Sequence, residues 1–416
     1  MYPPFRIKIT ERLPVVSRKQ RYAALQRAGF NPFAIPANTI TVDLISDSGT
    51  GAMSIEQWQA LFRASEDFSG QQAYNDFVRT ARWLFGMRYV QPVHQGRAAE
   101  NLLFHLLLRP GDIAVSNTHF ETTRDNIESL GCRAIDLPCF ARPYCGDMSI
   151  KRLTTLLHSA QAVRCIILTI TSNIRGGQPV SFRNMRQIKT AVRRYNIPVI
   201  FDASRFADNA YFLQQHTSRT ASIHRICRRM FSCADIIYLS CKKSALANVG
   251  GCITMRSRSL YEKLIAAVLQ RESYPTSGGL AARDLAAMTQ GLREAIDQTY
   301  LHAHSDQIQY LARALRNQHV PIKTPIGRHA IAIPPRKDRS CGAFSLAARV
   351  YLDSGIRGGI FDDLYRLALP RRVYVREHLD YVARSLGRVY NKPQLRLRPL
   401  NDPVKYRNFL IRFKTY

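Results

Sequence analysis

The chain has 416 residues, of which 46% are hydrophobic, and a formal net charge of +30. This length and apolar content suffice for a buried core, and they predict either two or three structural units or one large domain with a smaller companion. No apolar run reaches the roughly 18 residues that a membrane span requires, and the first residues lack the apolar core of a secretory signal. These features exclude a transmembrane protein, and we expect a cytoplasmic one.

The cysteines and the charge exclude further classes. Nine cysteines, spread from Cys132 to Cys341, form no CxxC pair, so neither a disulfide framework nor a zinc site is indicated. The basic residues are distributed along the whole chain, and aromatic residues are not interleaved with them in a stacking pattern. A solvated basic surface is therefore favoured over a nucleic-acid-binding function, which stays the remote alternative.

The centre of the chain alternates between helices and strands. The stretch "RAAENLLFHLLLRPG" has helical spacing, and "DIAVSNTHF" then reads as a strand. The run at 163–173 is apolar, β-branched and continuous, which is typical of a strand buried on both faces. Ser181 provides an N-cap for the next helix, and "IPVIFDAS" is the strand that follows. This order predicts a βαβ unit.

Two further strands, "CADIIYLSCKK" and "GCITM", extend this layer. The fold class is therefore α/β, with a mainly parallel central sheet. Helical patterns over about 278–317 leave the layer, and "PPRKDRS" marks an exposed turn. We expect an N-terminal arm and part of a small domain at 1–45, a large domain at 46–300, and the remainder of the small domain at 301–416.

Polar groups lie where predicted strands end or helices begin: "HQGR", "TSN", "DASR" and "SCKK". Ligands of mainly parallel sheets bind at the carboxyl ends of the strands. The "QGR" helix start offers backbone N–H groups and a guanidinium, which suit a phosphate. Asp202 ends a buried strand, where an isolated carboxylate is costly. It either pairs with Arg205, one helical turn on, or holds a protonated ring nitrogen.

A protonated ring nitrogen is what pyridoxal phosphate presents, because its pyridinium acts as an electron sink for carbanions. A lysine of the adjacent pair Lys242 and Lys243 would then form the Schiff base, and Ser240 would reach the phosphate. The pattern thus favours a pyridoxal phosphate site, with a plain Asp202–Arg205 pair as the competing interpretation.

Many segments of the sequence resemble the β-eliminating lyases, the family of tyrosine phenol-lyase and tryptophanase. Among them are "NPFAI", "DLISDSGTGAMS", "HQGRAAENLL", "FDASRFADNAYF" and "KKSALANVGG", and the similarity to tyrosine phenol-lyase is greatest. The resemblance covers nearly the whole chain. It implies the type I fold of pyridoxal-phosphate-dependent transferases, like that of aspartate aminotransferase, with a large domain and a smaller α+β domain.

The resemblance also implies the cofactor contacts. Lys243 matches the lysine that binds the cofactor covalently and acts as general base, and Lys242 matches its companion. Phe120 matches the aromatic residue that stacks on the cofactor ring, and Asp202 the partner of the pyridine nitrogen. The groups that match contacts to the phosphate and the ring hydroxyl are Gln95, Gly96, Arg97, Ser240, Asn173 and Arg205.

Substrate and cation contacts follow from the same resemblance. Arg371 matches the clamp on the substrate α-carboxylate, assisted by Ser46 and Ser48. A monovalent-cation site across a subunit interface is implied at Gly49, Glu66 and Asn248. Potassium and a homo-oligomer, a dimer or tetramer with a shared active site, are therefore expected.

Four positions bear on the leaving group. The family has a catalytic tyrosine that protonates the leaving aromatic, and this sequence has Phe68 there, which cannot donate a proton. Glu121 brings a carboxylate to the leaving-group side, and Asn408 stands where relatives have phenylalanine or histidine. His329 matches a family histidine near the pocket, although a purely structural histidine accounts for it equally well.

We therefore expect a lyase that acts on an α-amino acid through an external aldimine and α-proton abstraction. The expected reaction is β-elimination of a good leaving group, such as a thiolate, rather than release of phenol or indole. Two alternatives stay open: a β-replacement or other tailoring reaction of the same carbanion, and a non-catalytic relative.

Overall fold

The computed structural model describes residues 3–159, 162–173, 176–217, 220–336, 342–403 and 405–416. The chain divides into two compact units. The large unit comprises Ser48–Asn173 and Gln178–His302, and the small unit comprises Met1–Asp47, Ile174–Gly177 and Ala303–Tyr416. No helix among the described residues is both long enough and apolar enough to cross a membrane.

The strands of the described residues, in chain order, are β1 (Val42–Leu44), β2 (Tyr89–Val93), β3 (Ile113–Ser116), β4 (Arg133–Asp136), β5 (Val163–Thr169), β6 (Val199–Asp202), β7 (Ile236–Ser240), β8 (Gly251–Met255), β9 (Ala330–Ile333), β10 (Ile356–Phe361), β11 (Leu364–Ala368), β12 (Leu397–Pro399) and β13 (Phe413–Thr415).

The α-helices are α1 (Arg18–Arg27), α2 (Ile55–Arg63), α3 (Gln72–Phe85), α4 (Gly96–Leu107), α5 (Glu121–Glu128), α6 (Ile150–Ser159), α7 (Phe182–Val192), α8 (Phe206–Thr217), α9 (Ile223–Phe231), α10 (Arg258–Arg271), α11 (Ala282–Glu294), α12 (Gln298–Asn317), α13 (Gly342–Ser354), α14 (Arg376–Tyr390) and α15 (Arg407–Leu410).

The large unit is built on a seven-stranded sheet in the order β2-β8-β7-β6-β5-β3-β4. Neighbouring strands from β7 to β4 are parallel, whereas β8 is antiparallel to both β2 and β7. Ile166, Ile167 and Leu168 of β5 are fully buried, so successive side chains on both faces of the sheet are covered. This confirms the predicted α/β class with a mainly parallel sheet.

The predicted elements around this sheet are present. Ser181 caps α7 by accepting a hydrogen bond from the backbone N–H of Asn184 at 3.0 Å, as its position before an apolar helical pattern indicates. The helical stretch predicted over about 278–317 is α11 and α12. Most of the predicted turn "PPRKDRS" lies outside the described residues.

The small unit has its own sheet and core. Its four strands are ordered β1-β10-β11-β9, with β1 and β10 parallel and the other pairs antiparallel. Helices α13 and α14 pack with these strands through buried apolar side chains such as Leu346, Val350 and Leu386. A second, two-stranded sheet pairs β12 with β13. The unit is therefore α+β, as expected.

Candidate active site

The carboxyl ends of β5, β6 and β7 meet at one edge of the large sheet. Asn173 follows β5, and Asp202 and Ser240 are the last residues of β6 and β7. Because these strands are parallel neighbours, the three residues lie at the same edge, where they are only 5–7% exposed. With Arg205, which follows β6, we call them the strand-end cluster.

Two hydrogen bonds are formed within and beside the strand-end cluster. Arg205 donates a hydrogen bond from Nη1 to Oδ1 of Asn173 at 2.7 Å. Asp202 Oδ1 accepts the backbone N–H of Ser204 at 3.1 Å, which turns the chain after β6. Asn173 and Arg205 are thus held together, as expected of two groups that bind one ring hydroxyl. Both interpretations of Asp202 stay predictions.

The start of α4 lies against the end of β7. Gln95 precedes the helix in an extended conformation and forms a β-bridge with Gly250. A Cβ at Gly96 would lie 2.8 Å from Cβ of Ser240, so glycine is required for this close approach. The free N–H groups at the helix start, the Arg97 side chain and the Ser240 hydroxyl therefore form a set of donors suited to a phosphate.

The two adjacent lysines follow β7, and each is partly buried. The carbonyl oxygen of Lys242 accepts the N–H of Gly49 at 2.8 Å. A Cβ at Gly49, whose φ is +75°, would lie 2.6 Å from Cε of Lys242 and 3.4 Å from the carbonyl oxygen of Asn248. Lys243 instead exerts its charge on the buried Glu100 of α4, since its ammonium lowers the pKa of that carboxyl.

Phe120 and Glu121 open helix α5, as N-cap and first residue. Glu100, a residue that the motifs did not single out, joins α5 to α4. Burial is the largest effect on Glu100 and raises the pKa of its carboxyl to about 7. Glu100 lies on an otherwise apolar helix face, one turn after the "QGR" motif. This position could have indicated a functional or structural role from the sequence, because a buried carboxylate requires partners.

Phe68, matched to the leaving group, and the residues matched to the cation also lie in the large unit. Phe68 is 81% exposed, and its ring centroid lies 5.5 Å from that of Tyr274. Glu66 accepts the backbone N–H groups of Ala282 at 2.7 Å and Arg283 at 3.1 Å, at the start of α11. The structure therefore brings Gly49 and Asn248 together, while Glu66 caps a helix within the same chain.

The small unit holds Ser46, Arg371, His329 and Asn408. Arg371 is 8% exposed, and its Nη1 lies 3.6 Å from Oδ2 of the buried Asp47, next to Ser46. His329 is fully buried, with its backbone oxygen accepting the N–H of Leu369 at 3.0 Å. The backbone oxygen of Asn408, on α15, accepts from Nδ2 of Asn31 at 3.1 Å.

Sequence reasoning also missed His304 of the small unit. Burial, together with the charges of Arg371 and Arg328, lowers the pKa of His304 to about 3. The imidazole is therefore neutral over the physiological range. Arg371 is therefore surrounded by the carboxylate of Asp47 and the neutral ring of His304. The sequence did not indicate these neighbours, because they are far from Arg371 along the chain.

The donor set of the large unit fits pyridoxal phosphate. The helix start and Ser240 offer donors for a phosphate, Asp202 a carboxylate for a ring nitrogen, and Lys243 an amine for an aldehyde. The close approach at Gly96 supports this fit, because any side chain there would separate the helix start from Ser240.

The family model described as "Beta-eliminating lyase" matches residues 43–385 of this chain. The chain belongs to this family. It is accordingly an enzyme, a pyridoxal-phosphate-dependent lyase, and the family implies pyridoxal phosphate as its cofactor. The family resemblance identified from the sequence motifs is confirmed.

Two relatives illustrate the range of the family. A probable tryptophanase of Aeropyrum pernix is 39% identical over 431 residues, which cover 95% of this chain and 92% of that protein. A tyrosine phenol-lyase of Pasteurella multocida is 34% identical over 452 residues, which cover 99% of each chain. Relatives named for two different aromatic amino acids are thus similar to this protein at nearly full length.

Solved structures show the same fold at much lower sequence identity. A serine palmitoyltransferase of Sphingomonas wittichii is similar with a TM-score of 0.66 and 14% identity, over 90% of this chain and 97% of that one. For a threonine aldolase of Leishmania major the TM-score is 0.62 at 15% identity, over 84% of this chain and 99% of that one. These similarities support the type I fold alone.

Proposed function

We propose that the protein catalyses β-elimination from an α-amino acid whose leaving group departs without protonation by the enzyme, such as an S-substituted cysteine. The observation that carries this proposal is the side chain at position 68. The family resemblance places a proton-donating tyrosine there, whereas this chain has a phenyl ring that is largely exposed and contacts Tyr274. The residues matched to the cofactor have their expected types.

The proposed division of labour follows from the side chains. When bound, pyridoxal phosphate supplies the electron sink that stabilises a carbanion at the substrate Cα. Lys243 removes the α-proton, and Arg371 binds the substrate carboxylate with its planar guanidinium. Asp202 keeps a protonated ring nitrogen in place by its negative charge, while Asn173 and Arg205 orient the ring hydroxyl.

Leaving-group chemistry sets the proposed substrate range. Phenol and indole depart from carbon, and this requires a proton at that carbon, whereas a thiolate is stable enough to leave as an anion. S-substituted cysteines that release an acidic thiol should therefore be better substrates than tyrosine or tryptophan.

Three further properties belong to this proposal through the family resemblance. We expect a homo-oligomer with a shared active site, activation by potassium through Gly49, Glu66 and Asn248, and a cytoplasmic location. The adjacency of Gly49 and Asn248 supports a cation site. The capping of α11 by Glu66 means that this carboxylate would serve a cation and two backbone N–H groups together.

The test is a substrate series measured by release of pyruvate and ammonia. S-aryl and S-alkyl cysteines and β-chloroalanine should yield both products, and tyrosine and tryptophan should yield little of either. The Lys243→Ala variant is the control for uncatalysed release. If no β-substituted substrate gives pyruvate above that control, the elimination proposal is wrong, and an exchanged β-substituent in the product would identify replacement instead.

A further inference from the structure

A single carboxylate joins two helices of the large unit. Glu100, on α4, is only 5% exposed. Its oxygens accept hydrogen bonds from the hydroxyls of Thr122 at 3.2 Å and Thr123 at 2.6 Å, and from Nδ2 of Asn126 at 3.4 Å. All three donors belong to α5. A carboxylate with several donors in a buried setting forms strong, short-range contacts, so the two helices are fixed relative to each other at this point.

Both helices carry groups assigned to the cofactor. The chain enters α4 through Gln95 and Gly96, the proposed phosphate contacts, one turn before Glu100. The chain enters α5 through Phe120, the proposed stacking residue, which lies two residues before Thr122 and three before Thr123. The contact therefore sets the distance between the group that holds the phosphate and the group that holds the ring plane.

We propose that Glu100 is a positioning residue of the cofactor site, which holds Phe120 and Glu121 in place relative to the proposed phosphate-binding helix start. This inference rests on the proposed cofactor contacts. It goes beyond them, because Glu100 is assigned no contact with the cofactor or the substrate.

Glu100 also interacts with charged and polar groups on neighbouring segments of the large unit. Asp202, at the end of β6, raises the pKa of Glu100, and Lys243, after β7, lowers it. Tyr238 of β7 is fully buried, and burial followed by the charges of Asp202 and Glu100 raises the pKa of its hydroxyl. Loss of the charge on Glu100 would therefore also remove an electrostatic attraction to the nitrogen of Lys243.

The experiment compares Glu100→Gln with Glu128→Gln in the cofactor-loaded enzyme. The amide of glutamine has nearly the shape of the carboxylate but no charge, and it accepts through one oxygen only. Glu128 is the matched control, because it lies on α5, is exposed and pairs with Arg124 at 3.0 Å. The readouts are the pH midpoint of the visible absorption of the bound cofactor and the induced circular dichroism of that band.

In Glu100→Gln we expect the pH midpoint to fall by about one unit, because a charge that favours the protonated nitrogen is lost. The induced circular dichroism should also decrease, since Phe120 is held less firmly. Glu128→Gln should match the wild type in both. A third variant, Thr123→Val, keeps the charge but removes the 2.6 Å hydrogen bond, so it should lower the circular dichroism and leave the midpoint within a few tenths of a unit.

The outcomes separate this inference from the proposed function. A wild-type protein without a bound-cofactor band would overturn both. A wild-type band with an unchanged midpoint and circular dichroism in Glu100→Gln would overturn this inference alone. A shifted midpoint in an enzyme that releases no pyruvate would support the role of Glu100 and reject the elimination reaction.

Discussion

The strand-end cluster and the segment around Phe68 differ in how firmly their side chains are held. Asn173, Asp202 and Ser240 are at least 93% buried at the ends of parallel strands, whereas Phe68 is 81% exposed between α2 and α3. A change in the cluster disturbs packed neighbours and hydrogen bonds, but a change at position 68 alters one outward-facing side chain. On the proposed roles, the residues that bind the cofactor are fixed by the packing of the sheet, whereas the residue that faces the leaving group can change without disturbing that packing.

The largest expected effect is at Lys243, three residues after Ser240 of the strand-end cluster. Lys243→Ala should lower turnover by at least about a thousandfold, because the enzyme loses both the covalent amine and the general base. Turnover with an S-aryl cysteine and the visible spectrum of the loaded protein measure this. Lys242→Ala is the matched neighbour, and equal losses in the two variants would argue against the assignment of Lys243.

A second prediction concerns the apoprotein and the pH dependence of its stability. Since the folded-state pKa of Glu100 is about 7 against an ordinary value of 4.5, the folded protein binds the proton more tightly than the unfolded chain. This contribution to stability is fully present below pH 4.5 and is lost as the pH rises through 7. The free energy of unfolding of Glu100→Gln, relative to that of the wild type, should therefore rise by about 3 kcal/mol as the pH rises across this range.

Urea unfolding of both apoproteins at pH 5 and pH 8 measures most of that change. Glu128→Gln, at an exposed site, should show the same pH dependence of stability as the wild type. Parallel pH dependence of the wild type and Glu100→Gln would show that the carboxyl of Glu100 titrates in the ordinary range.

A third prediction tests the carboxylate clamp. Arg371→Ala should raise KM by about 30-fold, as expected for the loss of about 2 kcal/mol of charged hydrogen bonding to the substrate. Arg371→Lys keeps a cation beside Asp47 but lacks the paired N–H groups, so its KM should be intermediate. Steady-state kinetics with one S-substituted cysteine distinguish the three proteins. A KM that does not change in Arg371→Ala would remove this residue from substrate binding.

The smallest expected effect is at position 68. Phe68→Tyr restores a proton donor at an exposed position, so it should raise turnover about 10-fold with poor leaving groups and leave good ones unchanged. A series from S-aryl to S-alkyl cysteines reports this as a weaker dependence of rate on thiol pKa. Phe68→Leu controls for the loss of the ring contact with Tyr274. If Phe68→Tyr weakens the dependence of rate on thiol pKa no more than Phe68→Leu does, position 68 does not face the leaving group.

The sequence predicted the sheet and its edge well for physical reasons. A continuous apolar run such as 163–173 has few alternatives to a buried strand, and the polar residues after it must lie at the sheet edge. Asp202 was singled out because a carboxylate at the end of such a strand requires a partner.

Contacts between distant parts of the chain could not be predicted in this way. Glu66 caps α11, and Asp47 lies beside Arg371, although nothing local in either sequence specifies these partners. Glu100 is an intermediate case. Its burial is implied by its helix face, but its coupling to Lys243 depends on how β7 lies beside α4. Pairing in three dimensions, rather than residue type, was the missing information.

The cap that Glu66 places on α11 limits the reach of the side chain at position 68. Two residues of extended chain span at most about 7 Å, so position 68 stays close to the anchored carboxylate of Glu66. One end of this short segment is therefore fixed at Glu66. On the proposed role of position 68, substitutions there would change which leaving group is accepted without repacking the central sheet, which would suit enzyme engineering.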